Sequence, residues 1–163
     1  MPRSTQSSTN WYTADRIAEI AEALFELEDK DMAAPRVEHG WSRKQILGHL
    51  IDSASVNHQR ILEAQITGSI VFQGYKHEQW VQLQNYQNAD WEELITLWCS
   101  LNMHLCTIAE HIPPDILDAL HDTHSYDKTA YRELPSDKPS TLGYLIEDYF
   151  AHLEYHLHQI QDV

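Results

Sequence analysis

Four stretches of this sequence repeat apolar side chains at i, i+3, i+4 and i+7, the period of a helix with one buried face. The first carries Ile17, Ile20, Ala21, Leu24, Phe25 and Leu27, with Thr13 or Asp15 as its cap. The second starts at Ser42, carries Ile46, Leu47, Leu50, Ala54, Ile61 and Leu62, and closes near Thr67 at Gly68. The third is capped by Asp90 and carries Leu94, Leu97, Trp98, Leu101, Leu105 and Ile108. It stops at Ile112-Pro113-Pro114, because proline cannot continue a helix. The fourth follows Pro139, with Ser140 or Thr141 as cap, and carries Leu142, Leu145, Ile146, Tyr149, Leu153 and Ile160. Four such segments and no convincing strand predict an all-α fold, a four-helix bundle.

The connections are long. Residues 69–90 and 115–140 allow crossovers instead of simple hairpins. A turn or two of helix is expected from His77 to Gln84, with Trp80, Val81 and Leu83 packing inward. The acidic run 26–31 reads as a solvated face. Residues 1–12 are expected to be a flexible N-terminus and 13–163 a single domain.

Charge narrows the function. With 25 acidic against 11 basic residues the net charge is -14. Such a field repels phosphate backbones and anionic membranes, so neither nucleic acid nor membrane is expected as a partner. No apolar run approaches the ~20 residues of a membrane span. The first ten residues lack the apolar segment of a secretory signal, so a cytoplasmic location is expected. Cys99 and Cys106 lie seven apart on one helix, about 10 Å between Cα atoms. That is too far for a disulfide.

Histidine carries the chemistry. His152 and His156 interrupt the apolar stripe of the fourth helix one turn apart, a chelating spacing on one face. His158 is rotated away from them. Spacing alone leaves three readings open: a metal site, a surface pair, or two separately satisfied core histidines. A zinc-type catalytic site needs a third protein ligand and an open position. His49, bordering the stripe of the second helix, is the candidate, and Asp52 one turn on is a possible fourth ligand or an orienting partner of His49. Asp52, Ser53, Asn57 and His58 continue a polar strip that can line a pocket. His104 is expected to be satisfied locally, and His121 with His124 is too common a loop spacing to count as a site. Other chemistries lack their motifs. No His-Glu-x-x-His or Glu-x-x-His pair occurs, nor a phosphate-cradling glycine loop, nor a nucleophile elbow.

The run Trp41-Ser42-Arg43-Lys44-Gln45-Ile46-Leu47-Gly48-His49-Leu50-Ile51-Asp52-Ser53-Ala54 resembles the DinB-like (DinB/YfiT) family of four-helix-bundle metalloenzymes. The ending from Leu145 to Ile160, with His152-x-x-x-His156 followed by Gln159-Ile160, is similar to that family's last motif. The stretch from Asn85-Tyr86-Gln87 through Asp90-Trp91 to Ile112-Pro113 is similar as well. The resemblance covers nearly the whole chain after about residue 12. It implies metal ligands at His49, His152 and His156, a small-molecule substrate and a homodimer; three histidines suit a divalent zinc, nickel, iron or copper ion and do not name it. The activity it implies is a metal-dependent hydrolase, with a small-thiol-dependent S-transferase or isomerase as the alternative. A non-catalytic metal- or ligand-binding bundle stands beside both. The transferase reading asks for cationic groups at the pocket, of which the sequence offers few. Tyr149, three residues before His152, is either a proton donor or a packed core side chain. Trp80 and Tyr86 are expected to wall the pocket or pack in the core.

Overall fold

The computed structural model describes residues 11–35 and 40–161. Residues 1–10, most of the expected flexible N-terminus, lie outside them. Eight α-helices and one 3₁₀ turn make up the described residues: α1 Ala14–Phe25, α2 Asp29–Met32, α3 Arg43–Thr67, α4 His77–Leu83, the 3₁₀ turn Tyr86–Asn88, α5 Trp91–His111, α6 Pro114–Leu117, α7 Tyr126–Thr129 and α8 Leu142–Gln161. The four long helices form the bundle.

Each long helix begins where its sequence supplies an acceptor for the free N–H groups of the first turn. Thr13 Oγ1 accepts from Arg16 N at 3.2 Å. Ser42 and Gln45 form a reciprocal capping box at the start of α3. Asp90 Oδ1 accepts from Glu93 N at 2.9 Å. α3 ends at Gly68, which takes a left-handed φ of 67° that other residues rarely adopt.

α1 packs on α5, α5 on α3, and α3 on α8. Of the long helices consecutive along the chain only α3 and α5 pack together, whereas α1 packs on α5 and α8 on α3, so the chain crosses over as its long connections allow. α3 is the central helix. From Ile46 to Ala54 every residue is buried, because α5 and α8 cover two sides and α4 with the 3₁₀ turn covers a third. That is why its polar residues, which a single-stripe pattern places at a border, are inside. Trp98 and Trp91 fill the α5 side of the core, and Trp91 Nε1 donates to Leu24 O at 3.1 Å. The first packed side chains precede α1: Tyr12 stacks on Phe150 at 5.4 Å between ring centroids. Both cysteines are free, and buried Cys106 donates to Tyr12 O.

Several expected core positions are corrected. Phe25, Leu62 and Leu97 are exposed. Each follows or precedes a fully inward neighbour (Leu24, Ile61, Trp98), and about 100° of helical rotation carries it off the seam. In α4 only Val81 packs inward. Leu83 is exposed, and Trp80 lies over Tyr75 at 4.9 Å. The acidic run is not wholly a solvated face, because α2 forms within it, buries Met32 and pairs Asp29 with Lys44 Nζ at 2.7 Å.

The two long connections are joined to each other. Ile70 bridges to His124, Phe72 N donates to Ser125 Oγ at 2.8 Å, and His121 pairs with Ser140. This places residues 74–77 and 128–131 opposite one another beside α3 and α8. Among the described residues no helix is long and apolar enough to cross a membrane.

Candidate metal centre

α3 delivers His49 and α8 delivers His152 and His156 to one point. Their nearest ring nitrogens lie within 4.8 Å of one another. Nε2 of His49 faces Nε2 of His152 at 3.2 Å. The ring centroids are 5.0 Å apart for His49 and His152, 4.9 Å for His49 and His156, and 4.6 Å for His152 and His156. Trp41, just before the cap of α3, lies 5.1 Å from the His49 ring, and Tyr131 lies 5.4 Å from that of His152.

Burial keeps these imidazoles neutral. It pulls the pKa of His49 from 6.5 down to about 3, with the charges of His152, His156 and His77 adding to the effect. His152 is pulled to about 3 by burial and then by His156 and His77. Burial also lowers His156, against the opposing pull of its bond to Gln159. That bond fixes a tautomer. Gln159 Oε1 only accepts, so His156 Nδ1 carries the proton at 2.7 Å and leaves Nε2 as a lone pair.

Asp52 stands outside the nitrogen cluster. Its Oδ1 accepts from Tyr86 OH and from Gln84 Nε2, both at 2.7 Å. Its Oδ2 and the Nδ1 of His49 are both buried without a partner. Tyr86 reaches Asp52 because it lies flat on Gly48. A Cβ there would meet the Tyr86 ring at 2.2 Å. Tyr86 thus supports the site from behind instead of walling the cavity. Tyr149 lends its ring to the cavity wall, but its hydroxyl donates to Asn102 in the core. His104 is exposed beside His58, and His124 is satisfied by Lys138 O and Tyr126 N. His158 is exposed on the far side of α8.

The cluster opens into a cavity of about 340 Å³. His49, Ser53, Asn57 and Arg60 line it along α3, and Leu145, Asp148, Tyr149, His152 and His156 along α8. Tyr75 and His77 close one side, and Lys128 to Tyr131 the other. His77 stands 5.6 Å from the His49 ring and is exposed at the mouth. Two of the chain's few cations, Arg60 and Lys128, reach this wall. Tyr75, His77, Tyr131, Arg60 and Lys128 were not singled out as site residues by sequence reasoning, and Gln159 entered only as part of the last motif. Arg60 and Gln159 carried a signal, one continuing the polar strip of α3 and the other lying one turn beyond His156. The rest lie on connections whose path periodicity does not encode.

No family model matches the sequence, and no curated protein matches it. A solved structure does: YfiT from Bacillus subtilis superposes with a TM-score of 0.69, over 99% of this chain and 90% of that chain, at 18% identity. This chain has the YfiT fold. The DinB/YfiT resemblance read from the sequence is thereby borne out in the architecture. YfiT itself is described as a probable metal-dependent hydrolase with an unusual four-helix bundle topology. The YfiT-type arrangement here includes a three-histidine group with the composition of a metal centre.

Proposed function

We propose that this protein is a metal-dependent hydrolase of a small molecule, with a divalent ion held by His49, His152 and His156. One observation carries the reading: three neutral imidazoles from two helices converge on the wall of an open cavity. The donor set fits a cation. His49 and His152 turn Nε2 toward Nε2, and His156 adds a third lone pair, so without an ion the cluster has more acceptors than protons to share. Two nitrogens on one tetrahedral ion stand about 3.4 Å apart, close to the His49–His152 separation. The likeness of fold to YfiT supports the same reading.

When bound, such an ion acts as a Lewis acid and lets water ionise near neutral pH. The chain's own residues do the rest. Gln159 holds His156 in the ligating tautomer. Trp41 covers His49 and restricts water on that side. Burial pushes the Tyr75 phenol up to about 12, so at neutral pH it keeps its proton. It makes no hydrogen bond among the described residues and is therefore free to donate one to a substrate in the cavity. Asp52 acts through structure, tying the 3₁₀ turn to α3.

Small ester and amide substrates, assayed with zinc-, nickel- or iron-loaded protein, test the proposal. Turnover without added thiol that disappears on chelation and in His49→Ala supports hydrolysis. Turnover only when a small thiol is added replaces it with the S-transferase reading, which the cations of the cavity wall favour. Turnover that survives chelation contradicts both.

A further inference from the structure

Arg60 is 8% exposed, yet no carboxylate among the described residues pairs with it. This is unexpected in a chain with 25 acidic and 11 basic residues, because a buried charge without a counter-charge is costly. One of its five N–H donors reaches Gln73 O at 2.6 Å, and the guanidinium lies over the Phe72 ring at 5.5 Å. Neither contact neutralises the charge. Burial lowers its pKa, and only the Tyr75 and Tyr126 phenols oppose this. Glu63, one turn further along α3, makes no ion pair with it. Asp148 is the carboxylate on the cavity wall, and it is already engaged by Tyr131 N, Arg132 N and Arg132 Nε.

Position gives this charge a purpose. Arg60 faces the same cavity as the histidine cluster, on the same helix as His49 and about 16 Å further along its axis. Ser53 and Asn57 line the wall between them. The exposed Lys128 adds a second cation at the rim. A guanidinium offers a planar fork that matches a carboxylate or a phosphate.

We propose that Arg60, with Lys128, seats an anionic group of an elongated substrate, a carboxylate or a phosphate, whose other end reaches the three histidines. This deepens the function proposed above and concerns the same cavity, but the anion seat does not need the ion. Calorimetric titration of the full chain with glutarate, glutaramide and inorganic phosphate, with and without bound zinc, separates the two claims. At least one anion binds tenfold or more tightly than glutaramide, and it still does so after chelation. Tighter binding of glutarate identifies a carboxylate seat, and of phosphate a phosphate seat. Arg60→Met weakens that anion about tenfold to a hundredfold, and Lys128→Met weakens it less. If Arg60→Met does not fold, Arg60→Lys and the wild-type comparison of anion with amide decide. Glutaramide binding as well as both anions overturns the proposal. So does an anion affinity unchanged in Arg60→Met, or one lost on chelation. Anion binding that persists in a protein unable to take up zinc refutes the metal reading alone.

Discussion

Replacing His49 by Gln in the metal-free protein gives a stability change whose pH dependence follows from the site. His49 is neutral in the fold, with its pKa near 3 against an ordinary 6.5. As pH falls, the unfolded chain takes up this proton first. The lowered pKa therefore favours the fold in full above the unfolded value, and that advantage is lost as pH drops from 6.5 toward 3. Between about pH 6 and pH 5 the unfolded imidazole is mostly protonated and the folded one is not, so wild type loses ~1 kcal/mol that the Gln variant does not. Urea unfolding in chelator, followed by tryptophan fluorescence for both proteins at each pH, measures the difference. Carboxylates titrate alike in both and cancel. The stability gap between wild type and variant narrows by about that amount as pH falls. A gap that stays constant means His49 is solvated, and the burial that holds it neutral is then wrong.

Gly48→Ala, which in an ordinary helix interior stabilises by ~1 kcal/mol, is expected to destabilise this one by about 1–3 kcal/mol in chemical denaturation. The new Cβ displaces the Tyr86 ring and takes its hydroxyl from Asp52, leaving Gln84 as the carboxylate's remaining donor. Gln159→Leu frees the His156 ring to turn, and zinc affinity measured by competition with a chromogenic chelator falls about tenfold to a hundredfold. Burial raises the Cys106 thiol to about 11, so native protein at pH 8 leaves it unlabelled by iodoacetamide, whereas urea-unfolded protein is labelled there.

The bundle was legible because helix signals are local. Ser42, Gly68, Asp90 and Pro113 mark their boundaries through hydrogen-bonding and steric rules that act within a few residues. His152 and His156 were legible as a pair for the same reason, since one turn of α8 fixes their spacing. His49 was only a candidate by pattern, since its approach to α8 depends on how α3 packs, which no local rule states. The resemblance supplied the link, and the packing brings the three together. The side chains brought by residues 74–77 and 128–131 were not legible. Their positions depend on the bridge between Ile70 and His124 and on the bond from Phe72 to Ser125, pairings between segments about fifty residues apart. Exposed Leu97 and Leu83 show the reverse error: apolar character in a helical register was taken for burial, although the seam was already filled by Trp98 and Val81.

Metal content by elemental analysis, on wild type and His156→Ala loaded with zinc and desalted in parallel, tests the three-histidine centre most directly. Wild type is expected to retain about one equivalent, and the variant, still helical by circular dichroism, far less. Equal zinc in the two proteins contradicts the assignment of His49, His152 and His156 as the site that holds the ion.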